Sequence, residues 1–135
     1  MTLSALPAPA GVRARGPRKR ILVVDDDSAI RRGLRRILVK EGYDVCDARD
    51  GEEAIQMFRE HPCDLALLDI NMPALNGWGT IAGLRSLDGA LPAIFLTARA
   101  DHRNLAREAG LELMEKPVDL RLLLSQIHAV LSKAA

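Results

Sequence analysis

Short apolar runs alternate with amphipathic, helix-period segments along most of this chain. The run Ile21-Leu22-Val23-Val24 is uninterrupted and predicts a strand over Arg20–Asp25, buried on both faces. Beyond it, Ile30, Leu34, Ile37 and Leu38 share one helical face, with Arg31, Arg32, Arg35 and Lys40 outside. Ser28 is the expected cap of that helix, and Glu41-Gly42 its end. Asp44–Ala48 mixes polar with apolar residues and predicts a second strand nearer an edge. Glu52–Arg59 is helical, with Ala54, Ile55 and Phe58 inward, and Asp64–Asp69 is another unbroken buried strand. Pro73 and Asn76-Gly77 mark a loop before a helix over Trp78–Leu87. Pro92–Thr97 reads as a strand, Asp101–Ala109 as a short helix, Leu111–Glu115 as a fifth strand and Val118–Leu131 as the last helix.

Five strands alternating with five helices predict an α/β fold, a doubly wound parallel sheet with helices on both faces. In such a sheet the ligand crevice lies at the carboxyl ends of the strands. Asp25, Asp26, Asp69, Thr97 and Lys116 all fall at those ends. Residues 1–18 contain Pro7, Pro9, Gly11, Gly16 and Pro17 with no periodic apolar face, and are expected to form a disordered basic tail. The folded domain is expected over 19–135.

Charge sharpens this picture. The formal net charge of the 135 residues is +1, but residues 1–20 hold five basic residues and no acid. The remainder has 14 basic against 18 acidic residues, an acidic body that argues against nucleic acid as a direct partner. Two scattered cysteines, Cys46 and Cys63, make neither a disulfide framework nor a zinc site. With no apolar stretch of spanning length no membrane association is expected, and the sparse cysteines lead to the expectation of a reducing, cytoplasmic location.

Crowded carboxylates at a buried strand tip repel by several kcal/mol per close pair, so such a cluster implies a compensating cation or a charge needed for chemistry. Asp25, Asp26 and Asp69 with the Lys116 ammonium sum to −2, which one divalent ion neutralises. All-oxygen donors without His or Cys select a hard cation, and Mg2+ suits a small open site. The backbone carbonyl of Asn71 could add a ligand. A carboxylate beside a metal and a lysine is also a plausible nucleophile towards phosphorus, since phosphoryl transfer needs placement and neutralised oxygens.

The segments ILVVDDD (21–27), LALLDINMP (65–73), PAIFLTA (92–98) and EKP (115–117) resemble the receiver domain of two-component response regulators. The resemblance implies a flavodoxin-like sheet of order 2-1-3-4-5. It implies Asp69 as phosphoacceptor, Mg2+ held by Asp26, Asp69 and the Asn71 carbonyl with Asp25 assisting, Thr97 as switch hydroxyl and Lys116 as phosphoryl contact. It also implies a cis Lys116–Pro117 bond, and small Ala98 leaving access to the acceptor. Such a protein takes its phosphoryl group from a sensor histidine kinase or phosphotransfer protein, then signals to a downstream protein without being a dedicated enzyme. With the chain ending four residues after Leu131, output by partner binding is expected. The sequence departs from the family at Leu113, where an aromatic is usual, so output is expected through the loop after Thr97 and the helix over 101–109.

Plainer roles are expected elsewhere. Asp27 reads as a helix cap, and Asp44, Asp47, Asp50, Asp64 and Asp101 as solvated or capping residues. His61, His102 and His128 read as surface residues, Trp78 as packing, and the Arg31/Arg32/Arg35/Arg36 group as a solvated face that could border a docking kinase. Two other functions fit parts of the pattern. An aspartate-nucleophile phosphohydrolase would use Asp69-Ile70-Asn71, although Asn71 stands where a second acid is needed. A phosphorylation-independent pseudo-receiver would keep the shape and lose the switch.

Overall fold

A computed structural model of the protein describes residues 18–70, 77–97 and 112–134. The expected tail before residue 18, the loop at Pro73 and Asn76, the helix over 101–109, and Ala98 lie outside the described residues. The strands are β1 (Arg20–Val24), β2 (Asp44–Ala48), β3 (Leu65–Asp69), β4 (Ala93–Thr97) and β5 (Glu112–Glu115). The described helices are α1 (Ser28–Lys40), α2 (Gly51–Glu60), α3 (Gly77–Leu87) and α4 (Leu120–Ala134).

All four strand pairings are parallel, and the sheet order is β2-β1-β3-β4-β5. β1, β3 and β4 are interior, and β3 and β4 are buried at every position. β2 lies at an edge and is half-buried, as its mixed composition predicts. Strand alternation divides the core into two layers. Leu22, Val24, Leu68 and Phe95 pack with Ala54 and Phe58 of α2 and Ile81 and Leu84 of α3. Ile21, Val23, Leu67 and Leu96 pack with Leu34 and Leu38 of α1 and Leu123 and Ile127 of α4.

Two local expectations change. Asp27, as its own expected capping role has it, and not Ser28, is the N-cap of α1. Its carboxylate accepts from the amides of Ala29 at 2.9 Å and Ile30 at 3.3 Å, and Ser28 becomes the first helical residue. The carboxylate one position earlier sits on extended backbone, φ −87° and ψ 112°, from which it reaches the free amides of the first turn. The last helix starts at Leu120, because Asp119 accepts from the amides of Arg121 and Leu122 and caps it there. Asp50 caps α2 through Glu53, as its capping role predicts. Gly42 follows α1 with φ +97°, a conformation glycine adopts without penalty.

Candidate functional site

Parallel register brings the carboxyl ends of β1, β3, β4 and β5 to one rim. Val24 lies beside Leu68, Asp69 beside Leu96, and Thr97 beside Glu115. One residue past β1 stands Asp25, 1% exposed, close to Asp69 at 6%. Such burial of carboxylates is costly unless they are paired. The partner is Lys116, whose Nζ lies 3.2 Å from Asp25 Oδ2 and 3.4 Å from Asp69 Oδ2. Its own backbone amide donates to the Thr97 carbonyl at 2.6 Å, so the β4–β5 ladder runs one residue further and carries the lysine to the rim. The Lys116–Pro117 peptide is cis, as the resemblance implies.

Burial disfavours the Lys116 charge, but the Asp25 and Asp69 carboxylates outweigh it and hold the pKa above the ordinary lysine value. The ammonium is therefore charged at neutral pH. Asp25 Oδ1 accepts from the Asp27 amide at 2.9 Å, so both oxygens of this carboxylate are engaged. Thr97 is fully buried at the end of β4. The Gly77 amide donates to the Ile70 carbonyl at 2.9 Å. A Cβ at Gly77 would lie 2.7 Å from Ile70 Cα and 2.9 Å from the Asp69 carbonyl oxygen, so only glycine permits this close approach.

Carboxylate oxygens of Asp25, Asp26 and Asp69 lie within 4.8 Å of one another. Asp26 is exposed and leaves the cluster open to solvent on its side. Three hard oxygen donors at this spacing, with one approach open, fit a divalent cation that keeps part of its water shell. The structure thus brings together Asp25, Asp26, Asp69 and Lys116, with Thr97 on the adjacent strand. Asn71 lies outside the described residues.

One participant escapes the sequence reading. Arg31, expected on a solvated face, is only 19% exposed in its side chain. Its Nη1 donates to the Asp25 carbonyl oxygen at 2.7 Å, and its Nε lies 3.9 Å from Asp47 Oδ2. Arg35 also approaches Asp47, at 3.7 Å, whereas Arg32 and Arg36 are exposed as expected. Strand parity held the missing signal. Asp47 shares its face with Val45, which packs on the α1 layer, so it meets the i, i+4 row of Arg31 and Arg35.

The remaining groups take structural roles. Trp78 packs edge-on against Phe95, with ring centroids 4.7 Å apart. Leu113 packs on the same layer. His61 and His128 are exposed, and His102 lies outside the described residues. Cys46 and Cys63 are free thiols, and burial pushes Cys63 up to about 12. Beside Lys116 an apolar groove of about 360 Å³ runs between α1 and the start of α4, lined by Ile30, Leu34, Leu96, Pro117 and Leu120. Among the described residues no helix is long and apolar enough to cross a membrane.

Comparison with known proteins gives this rim a context. A sequence profile of the response regulator receiver domain matches residues 21–128. The transcriptional regulatory protein PrrA of Mycobacterium tuberculosis is 39% identical over 117 residues, covering 84% of this chain and 50% of that protein. The chain thus spans about half the length of the curated relatives it matches. A CheY-like receiver domain protein from Methanospirillum hungatei superposes with TM-score 0.80 at 33% identity, over 86% of this chain and 95% of that one. The response regulator TrrA of Thermotoga maritima, crystallised in complex with Mg2+-BeF, superposes with TM-score 0.76 at 34% identity, over 83% and 98% of the two chains.

Proposed function

Because this chain belongs to the response regulator receiver domains of two-component systems, we propose that it is a phosphoacceptor switch with Asp69 as the acceptor. The observation that carries this reading is the Lys116 ammonium between the Asp25 and Asp69 carboxylates. It puts next to the Asp69 carboxylate a cation that can follow an incoming oxygen.

A carboxylate oxygen of Asp69 attacks the phosphorus of a donor phosphohistidine. The P–N bond breaks, and its electron pair returns to the leaving imidazole, which takes up a proton. Lys116 meets one phosphoryl oxygen, and the Thr97 hydroxyl takes another as the β4 end adjusts. Mg2+, held by Asp25, Asp26, Asp69 and the Asn71 carbonyl, would neutralise charge that builds on the phosphoryl oxygens. Water later attacks the same phosphorus and returns the Asp69 carboxylate and inorganic phosphate. The folded receiver unit is taken as 19–135, acting in the cytoplasm.

The donor would be a sensor histidine kinase or a phosphotransfer protein. The apolar groove beside Lys116 supports docking of an apolar helix that presents its histidine to Asp69. Transcriptional control belongs to the names of the longer relatives; for this chain we propose output by binding a downstream protein. The test is labelling by radioactive acetyl phosphate in Mg2+, compared with Asp69→Asn. Loss of the acid-stable, base-labile label in the variant supports the reading, and undiminished labelling would sink it.

A further inference from the structure

We propose that Arg31 is a positioning residue for Asp26, acting through the peptide that joins Asp25 to Asp26. The inference rests on the Mg2+ site proposed above. Asp25 is gripped at each of its polar groups by a different part of the fold. Its amide donates to the Ala48 carbonyl of β2 at 3.2 Å. Its carboxylate takes the Asp27 amide and the Lys116 ammonium. Its carbonyl oxygen takes Arg31 Nη1 at 2.7 Å. The first three contacts fix Asp25 itself, whereas the fourth fixes the peptide plane beyond it. Because that plane is rigid, it contains the Asp25 carbonyl together with the nitrogen and Cα of Asp26. Holding the carbonyl therefore sets the direction in which Asp26 leaves. Asp26 is the exposed member of the cluster and lacks the burial that restrains Asp25 and Asp69.

Arg31 is itself held. Asp47 Oδ2 stands 3.9 Å from its Nε, so the planar guanidinium spans β2 and the β1–α1 turn. A lysine carries the charge but not the fork, and can satisfy the carbonyl or Asp47 but not both.

Titration calorimetry with MgCl2 on the full chain tests this, with urea unfolding in EDTA to verify folding. Arg31→Ala is expected to bind Mg2+ about ten- to a hundred-fold more weakly, the range for residues that orient ligands. Arg31→Lys, which keeps the charge, falls between the two. In an Asp26→Asn background the Arg31→Ala loss shrinks to less than about threefold, because the group it positions has gone. Wild-type affinity in Arg31→Ala, or an undiminished loss in the Asp26→Asn background, would overturn the inference while leaving the Mg2+ reading intact. Absence of Mg2+ uptake by the wild type would defeat that reading and this inference together.

Discussion

Lys116 Nζ lies 3.2 Å from Asp25 Oδ2, joining two residues ninety-one positions apart in the chain. The contact closes the sheet rim from β5 across to β1, with Asp69 of β3 3.4 Å from the same nitrogen. One ammonium thus compensates two buried carboxylates, and the exposed Asp26 adds a third negative charge nearby. The first two predictions come from this imbalance.

Replacing Lys116 with Met removes the ammonium that pairs with the buried Asp25 and Asp69 carboxylates. Urea unfolding in EDTA is expected to show a loss of about 1–3 kcal/mol, reduced from the fully buried range because the lysine is 22% exposed. Mg2+ should nevertheless bind the variant more tightly, since a repelling charge has been removed. Weaker Mg2+ binding to Lys116→Met in calorimetry would contradict the charge argument.

Asp26→Asn removes one of three mutually repelling carboxylates. In EDTA the variant is expected to be more stable than the wild type, by about 1 kcal/mol after solvent screening. Millimolar Mg2+ should reverse the order, because it binds the wild type more tightly than the variant and so stabilises it more. Melting curves with and without MgCl2 read both effects, and an Asn variant less stable in EDTA would argue against stored repulsion.

Gly77→Ala places a methyl against the backbone of Ile70 and Asp69, at 2.7 and 2.9 Å. Backbone cannot rotate away as a side chain can, so a loss of about 1–3 kcal/mol is expected. The displaced chain carries Asp69, and labelling by acetyl phosphate should slow with it. A variant that is destabilised but labelled at the wild-type rate would separate the two effects.

Cys63 gives a pH dependence. Burial raises its pKa from 9.0 to about 12 in the folded protein, while the unfolded thiol titrates near its ordinary value. The unfolded state therefore loses the proton first, and this group's contribution falls as pH rises from about 9 to about 12. The slope is at most about 1.4 kcal/mol per pH unit. Urea midpoints at pH 8 to 10.5 should fall more steeply for the wild type than for Cys63→Ala, and parallel slopes would refute the assignment.

Much of the architecture was legible in local pattern. Unbroken apolar runs at 21–24, 65–68 and 93–96 identify interior strands, because a strand covered on both faces has no polar side to show. The mixed run Asp44–Ala48 marks the edge for the converse reason. Cap positions were less legible, since Asp27 and Ser28 are both good caps and only backbone conformation chooses between them. The inward reach of Arg31 was not legible. Helical periodicity places it on the polar side of α1 but is silent about what crosses above that side, and there Asp47 of β2 awaits it.

By itself, then, the order of residues determined which segments are strands, which residue types end them, and that the carboxylates gather on one rim. Those properties follow from backbone periodicity and from the shared direction of parallel strands, both local in origin. Only the tertiary structure decided that Lys116 reaches two of the carboxylates, that Gly77 presses on the backbone beside Asp69, and that Arg31 turns inward. Such contacts join residues distant in the chain, and their distances depend on how strands register and helices pack, which no single segment encodes.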